Sequence, residues 1–420
     1  MTALAMRSRV WPAARVTLIG ALALFVITIV IGILNGLDIW EPEHDTLLTH
    51  VHAGTLGWIT LSVSAVALLM FTTDRDLSDA EVAKAKWMSW AMTAAIAAYV
   101  GAFWLGDSIP GDRIQRPIVG SILFLVVIWY LVWMIQQNRS AEGSSVVRLG
   151  LLLAWVSLLL GAVLGVLLGV FTSQGEIPGL DNETAARLAE AHPPAMVIGF
   201  LVLAGFAITE WLIRPGKALR EDKWGTAQMW IVFAAGLIIN VAFIIDNEDL
   251  LGPGNLLEIV AVVILIVRLW KYLIPSGWRG AGSAVYPRLS ILFLIADLAV
   301  LTYLVSKFIS GDIDIDALSE EDLGLVLTLD HLMFIGVMTN ALFGVIVATI
   351  HGKVLTTVDK VVLWGVNVGL VGFAVGLITV TAALKQIFTP LMGLALLLGI
   401  AVYIYEMAKV PDEAPVTVDT

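Results

Sequence analysis

Apolar runs of about 20 residues, long enough to cross a lipid bilayer, recur along the whole chain. Polar or Gly/Pro-rich segments such as 107–110, 172–181 and 311–322 separate them and mark turns. The pattern predicts twelve transmembrane helices, at 17–35, 47–72, 87–105, 117–136, 148–171, 190–213, 225–245, 255–274, 288–308, 325–350, 360–383 and 387–407. Because backbone in lipid must satisfy its own hydrogen bonds, we expect one all-α membrane domain over residues 1–420.

The composition agrees with a membrane protein. Apolar residues make up 59% of the chain and charged residues only 14%, against roughly 25% charged in a soluble domain. The chain has no cysteine, which excludes disulfides, iron–sulfur clusters, thiolate-ligated heme and the C-x-x-C-H attachment of a c-type heme. Arg7, Arg9 and Arg15 precede the first apolar run without a small-residue cleavage site, which predicts an uncleaved first helix.

The distribution of basic residues predicts the orientation. With a cytoplasmic N-terminus, all but five of the 24 Lys and Arg residues fall on the inner side, as the positive-inside rule requires. The loop 214–223, with four basic residues, is the clearest inner marker. We therefore predict that both termini are cytoplasmic, in a plasma (inner) membrane. The five outer basic residues are Arg113, Arg116, Arg187, Lys307 and Lys385.

Acidic residues are concentrated on the outer side in this orientation. An acidic surface attracts basic partners, so a basic soluble electron carrier or other respiratory subunits could dock there. Solubility of the outer loops explains the same distribution equally well. Apart from the lipid bilayer, the sequence specifies no partner, and nothing in it predicts nucleic-acid binding.

Three of the six histidines are evenly spaced along the chain. His52, His192 and His331 are 140 and 139 residues apart (192 − 52 and 331 − 192), which places them on helices 2, 6 and 10, in the predicted first turns. A glycine follows each at a similar offset: Gly57, Gly199 and Gly336. We infer three four-helix pseudo-repeats around a pseudo-threefold axis. They cover roughly 1–140, 141–280 and 281–420.

The histidines predict a layer of ligands near the outer face. Neutral imidazole suits heme iron or copper in a thiol-free protein, and ionisable side chains inside a membrane mark function by default. His50 and His52 point roughly 200° apart on helix 2, so this helix can serve two sites. The alternative is hydrogen bonding at the lipid headgroup level. His44 is predicted to be solvated, and His351 is predicted to cap the inner end of helix 10.

These residues resemble the heme-copper oxidase subunit I superfamily, in which twelve helices form three arcs and helices 2, 6 and 10 carry heme and metal ligands. The string HVHAGTLGW at 50–58 is similar to the dual-histidine helix of C-type oxidases and nitric oxide reductases, where the two histidines ligate different hemes. His192, followed by proline, is similar to the start of the copper-ligating sixth helix. His331 and the glycines after it resemble the corresponding helix of NnrS-like membrane heme proteins.

The resemblance implies one or two b-type hemes, with copper as a further candidate. It implies a redox function in electron transfer, or in nitric oxide or dioxygen handling. His331 would ligate one heme with His50 or His52, and the other of these two would meet His192 in a second heme or metal site. The family's histidine pair on helix 7 is missing from 225–245, and helix 10 has His331 alone where a pair is expected. The copper site is therefore incomplete, and catalysis stays open.

Other side chains near the histidines are candidates for supporting roles. Asp330 and Glu190 could each fix an imidazole tautomer, pair with a heme propionate through Arg187, or cap a helix. Trp58 could pack on a porphyrin or belong to the interfacial aromatic belt. Asp297, in the middle of helix 9, is a candidate proton relay. Its alternative role is a hydrogen bond to an asparagine or hydroxyl of a neighbouring helix.

Two other functions fit the same sequence. One is a secondary transporter for a metal or small solute, with a histidine-lined path, although transporters more often show inverted repeats and broken helices at the midplane. The other is a non-catalytic scaffold subunit of a respiratory complex that retains the fold and fewer cofactors. A heme spectrum distinguishes a heme protein from either.

Overall fold

Twelve helices in the computed structural model are long and apolar enough to cross a membrane, which confirms the predicted number and the all-α class. The structure describes residues 8–72, 75–108, 113–140, 145–214, 222–313 and 318–411. In chain order the helices are α1 (Trp11–Gly36), α2 (His44–Thr72), α3 (Asp79–Leu105), α4 (Gln115–Arg139), α5 (Val146–Gln174), α6 (Asn182–Ile213), α7 (Lys223–Ile244), α8 (Glu248–Leu273), α9 (Gly282–Ile309), α10 (Glu320–Ile350), α11 (Thr357–Ile378) and α12 (Ala382–Lys409). The described residues contain no β-strand. Arg7 and residues 215–221 of the basic loop lie outside them.

Three helices, α2, α6 and α10, form the centre of the molecule. Their most apolar windows are 89%, 83% and 89% buried, against 28% to 61% for the other nine helices. The nine surround the central three, and α12 packs on α1 to close the ring. An even number of crossings brings the two ends of the described chain to the same side.

The central helices begin earlier than predicted. They start at His44, Asn182 and Glu320 rather than at 47, 190 and 325. Polar first turns extend the helices beyond the apolar runs, and the side chains of Asp181 and Ser319 cap the first turns of α6 and α10. The histidines consequently lie about two to three turns inside these helices, deeper than the first turns predicted from sequence.

The boundary between α11 and α12 also differs from the prediction. α11 ends at Ile378 instead of 383, and α12 begins at Ala382. Val380 between them has a φ of 48°, a left-handed conformation that β-branched residues rarely adopt. Because the turn contains no glycine or proline, the apolar pattern runs through it and conceals the break.

Each central helix widens into an eight-residue π-helical segment at the same stage of its course. The segments are Ala53–Thr60 in α2, Ala195–Val202 in α6 and Leu332–Thr339 in α10. In two of them the last residue is a threonine whose hydroxyl donates to the carbonyl five residues earlier, at 2.9 Å from Thr60 and 2.8 Å from Thr339. π-Helical turns are rare and occur mostly at functional sites, so this threefold recurrence marks the region of interest.

A glycine in each π-helical segment lets the preceding helix approach closely. A Cβ added at Gly57 would lie 2.9 Å from Leu24 of α1, at Gly199 2.8 Å from Ser157 of α5, and at Gly336 2.6 Å from Phe293 of α9. These helices stand immediately before α2, α6 and α10 in the chain. The three glycines predicted as a sequence repeat therefore make the same contact three times.

Gly336→Ala is expected to destabilise the protein by about 1–3 kcal/mol, the usual cost of overpacking a well-packed core. The added methyl would collide with the base of the Phe293 side chain, 2.6 Å from Cγ and 2.7 Å from Cβ. Gly101→Ala in α3 is the matched control because its Cβ would meet nothing within 4 Å in the described structure. In Gly101→Ala the methyl group causes no collision, so the higher helix propensity of alanine should stabilise the protein by up to about 1 kcal/mol. Denaturant unfolding in detergent should give the two variants opposite signs.

At the inner ends of α6, α7 and α8, one buried carboxylate binds two arginines. Glu210 of α6 is fully buried and accepts hydrogen bonds from Arg214 and from both Nη atoms of Arg268 on α8. Asp222, which caps α7, accepts from Nη2 of Arg268 at 2.8 Å. The network joins three helices, and its opposite charges compensate one another where water is scarce.

Candidate functional site

The histidines occupy two fixed positions relative to the π-helical segments. Counted from the first residue of each segment, His50 and His192 lie three residues earlier, and His52 and His331 lie one residue earlier. α2 therefore carries a histidine at both positions, α6 at the first and α10 at the second. The evenly spaced trio of the sequence, His52, His192 and His331, therefore combines one histidine at the first position with two at the second. The structural equivalence is His50 with His192, and His52 with His331.

Histidines at the first position face the preceding helix. Nδ1 of His50 bonds to the carbonyl of Thr28 on α1 at 2.9 Å, and Nδ1 of His192 bonds to the carbonyl of Gly161 on α5 at 3.0 Å. One turn further along each of these helices, a glycine leaves room for the ring. A Cβ at Gly32 or Gly165 would stand 3.2 Å from the imidazole Cε1.

Histidines at the second position face the following helix. Nδ1 of His52 and of His331 each bonds, at 2.7 Å, to the carbonyl four residues earlier in its own helix. The His52 ring stacks on Phe103 of α3 with centroids 4.1 Å apart, and the His331 ring meets Phe373 of α11 edge-on at 4.8 Å. The two positions thus direct their imidazoles to opposite sides of the central helices.

This arrangement brings the histidines together in two pairs. His50 interacts electrostatically with His331, and His52 with His192. One pair lies between α2 and α10 on the side of α1 and α11, and the other lies between α2 and α6 on the side of α3 and α5. The sequence left open which of His50 and His52 faces His331. The structure places His50 there.

The tautomer of all four imidazoles follows from their hydrogen bonds. A carbonyl oxygen only accepts, so Nδ1 must carry the hydrogen in each ring. The lone pair is then on Nε2, the nitrogen left for a metal. Holding the ring by a backbone carbonyl at the opposite nitrogen is a common outer-shell arrangement for metal-ligating histidine.

The donor set suits heme better than copper. Among the described residues, no group of three or more His, Asp or Glu side chains could hold a metal ion. A heme requires only two axial ligands from the protein because the porphyrin supplies the other four, and each histidine pair provides two neutral nitrogens. Neutral ligands also avoid the cost of placing a charge in a low-dielectric interior.

Arg116 is a site residue that sequence reasoning missed. It lies in the first turn of α4, is only 3% exposed, and interacts electrostatically with His52. Its guanidinium carbon lies 4.6 Å from the Phe103 ring centroid, and its Nη2 lies 2.8 Å from Asp45. The sequence pointed to Arg187 for an anion near the histidines, yet that side chain pairs with a glutamate of its own helix. The available signal was that Arg116 is one of only five outer basic residues.

The other residues predicted near the histidines have different contacts from those expected. Backbone carbonyls take the Nδ1 hydrogens, so neither Asp330 nor Glu190 fixes a tautomer. Glu190 instead lines a cavity near the outer face. Trp58 is 1% exposed, stacks on Phe25 at 4.9 Å and donates to the Thr339 hydroxyl at 2.9 Å. It therefore belongs to the packed core and not to the interfacial belt.

The two remaining histidines lie apart from both pairs. His44 begins α2 and is exposed, as predicted. His351 occupies the C-cap position of α10, as predicted. Its Nδ1 also lies 2.9 Å from Oδ2 of Asp359 on α11, so the side chain links two helices at the inner face.

Comparison with known proteins adds no family to this geometry. No family model matches the chain, and no curated protein matches it.

Proposed function

We propose that this membrane protein binds two b-type hemes, one between His50 and His331 and one between His52 and His192, and transfers electrons between them. The observation that supports it best is the pairing of four histidines, all with Nδ1 bound to a carbonyl. The absence of cysteine from the chain excludes the covalent attachment of a c-type heme, so the proposed hemes are held without covalent bonds to the protein, as b-type heme is.

The protein's own contribution is to hold the rings and shape their surroundings. The carbonyls of Thr28 and Gly161 orient His50 and His192, while Phe103 and Phe373 pack on the other two imidazoles. Heme bound there would supply one-electron oxidation and reduction. Arg116, buried beside His52, places a positive charge where a propionate carboxylate would favour it.

Electron transfer is favoured over gas chemistry because each heme would be held by two histidines. Dioxygen or nitric oxide needs an open coordination position, and a copper partner needs ligands beyond a pair. Electrons would enter from a basic soluble carrier or a respiratory subunit at the acidic outer face, in the plasma membrane. Reduction by such a carrier should then slow as ionic strength rises.

The deciding experiment is a reduced-minus-oxidised absorption spectrum of the purified protein, with heme extraction and a metal assay on the same sample. We expect two extractable hemes per chain, the spectrum of a six-coordinate low-spin cytochrome, and no stoichiometric copper. A purified, folded protein without a Soret band would overturn the proposal. Copper bound in a one-to-one ratio would redirect it toward the oxidases.

A further inference from the structure

The three central helices form three interfaces with one another. Histidine pairs lie at two of them, α2–α10 and α2–α6, whereas the third interface, between α6 and α10, lacks a histidine pair. The ligand position of α6 that would face it is occupied by Pro194, one residue before the π-helical segment. The corresponding position of α10, three residues before its segment, is occupied by Leu329. α9 packs against both helices here, with α8 behind it. Any ligand at the α6–α10 interface would therefore have to be bound by side chains other than histidine.

Two buried carboxyl groups lie at this interface instead. Asp297 of α9 interacts electrostatically with Glu258 of α8 and with Asp330 of α10. Asp297 and Glu258 are 2% and 1% exposed. Neither Oδ1 of Asp297 nor Oε2 of Glu258 has a hydrogen-bond partner in the described part of the chain. An isolated buried carboxylate is very costly, so these groups need a proton or another ligand.

The asparagine hydrogen bonds considered as an alternative for Asp297 are made elsewhere. Asn340 and Asn367 bond to each other, and Asn240 donates to the carbonyl of Ala191. In the described part of the chain, no hydrogen bond joins any of these three asparagines to Asp297.

An amide next to the acids points independently to a missing ligand. Asn255 lies one turn before Glu258 on α8, is 4% exposed, and accepts a hydrogen bond from Thr302 of α9 at 3.3 Å. That bond directs the amide into the α8–α9 interface, where Glu258 meets Asp297. Its Nδ2 has no hydrogen-bond partner among the described residues. A buried donor without a partner costs about 1–3 kcal/mol, and a water molecule shared with the carboxyls would satisfy it.

A cavity lies on the outer side of this interface. It has a volume of about 150 Å³, enough for several water molecules. Its acidic lining comes from Glu190, Asp246 and Glu248, and Leu251 of α8 lies at its inner end. Leu251, Asn255 and Glu258 follow one another on one face of α8, over about 10 Å. Asn255 is thus the polar side chain between the cavity lining and Glu258 on this face of α8.

We propose that Glu258 and Asp297 form a proton-binding site that exchanges protons with the outer face through this cavity. Among the described residues no group of three or more His, Asp or Glu side chains could hold a metal ion, so a proton with water is the ligand that fits the two carboxyls. The groups that face Asp297 are Glu258 from α8 and Asp330 from α10. The α6 segment packed on α9, Leu203–Ile213, carries only Glu210, which is engaged by arginines at the inner end. This site does not depend on heme.

Infrared spectroscopy of the full-length protein in liposomes tests the site directly. The wild type should show the C=O stretch of protonated carboxylic acids at neutral pH, shifting in D₂O. Glu258→Gln and Asp297→Asn keep the size and shape of the side chain. Each variant should reduce the area of the C=O band by the contribution of one carboxyl group. Glu320→Gln, an exposed acid at the start of α10, is the control and should leave the band unchanged.

The route is tested by a variant that keeps the acids. Leu251→Trp fills the inner end of the cavity and should slow deuterium exchange of the band several-fold without reducing its area. A wild-type protein lacking the band, or a band unaltered in both amide variants, overturns the site. Exchange at the wild-type rate in Leu251→Trp overturns the outer route. The visible spectrum of the same samples measures heme content. A failure of the heme proposal can therefore be distinguished from a failure of the proton-site proposal.

Discussion

Under the proposed heme assignment, replacing His331 with alanine is expected to remove one of two hemes and leave the other in place. His331 faces His50, while His52 and His192 form a separate pair. Removing one histidine of a pair would abolish the heme site proposed there without changing the other pair. Extractable heme should fall by half, and the low-spin signal in electron paramagnetic resonance should lose one of its two components.

The pairing also predicts which histidine variants should lose the same spectral component. His50→Ala should remove the same spectral component as His331→Ala, and the double variant should lose no more than either single one. His52→Ala and His192→Ala should remove the other component. Residues acting as one unit are non-additive in this way. If His50→Ala and His192→Ala removed the same component, the assignment of pairs would be wrong.

His44→Ala is the matched control because this histidine begins α2 on the exposed surface. Its removal should leave both spectral components and the heme content unchanged. Loss of heme in this variant would indicate general destabilisation of α2, and the results for His50 and His52 would then need a measurement of folded fraction.

Glu210→Ala is expected to lower the free energy of unfolding by about 3–5 kcal/mol, the usual cost of removing one partner from a buried ion pair. Arg268 is itself buried and donates to Glu210 at 2.9 Å from Nη1 and 2.5 Å from Nη2. Without the carboxylate, two guanidinium groups would share Asp222 alone as a counter-charge. Denaturant titration in detergent micelles measures the difference.

Glu406→Ala is the control for this second experiment. Glu406 pairs with Lys409 at 3.2 Å, and both side chains are substantially exposed. Exposed pairs contribute only about 0–1 kcal/mol, so the variant should unfold close to the wild type. Comparable losses in Glu210→Ala and Glu406→Ala would mean that the inner network is not a stabilising element.

The sequence patterns singled out neither Glu210 nor Glu258. Both are acidic residues in apolar surroundings, the signal that did identify Asp297. Their partners, Arg268 for one and Asp297 for the other, are separated from them by 58 and 39 residues (268 − 210 and 297 − 258). Contacts over such distances depend on how the helices are arranged, which the apolar pattern of each helix does not contain.

The histidine layer shows the same division between local and long-range information. Spacing along the sequence placed histidines on α2, α6 and α10, and these are the three central helices. It did not give the correct equivalence, because two residues of offset separate opposite faces of a helix. The correspondence between His50 and His192 follows from the π-helical segments, because each of these histidines lies three residues before the start of its segment.

The sequence by itself determined the number of helices, the all-α class and the scarcity of possible ligands, because each depends on composition and on the length of apolar runs. The tertiary structure decided which imidazoles face each other, that backbone carbonyls and not acids fix their tautomers, and that carboxyls occupy the third interface. These features depend on the rotation of each helix about its own axis. In lipid, where both sides of a helix are apolar, packing sets that rotation.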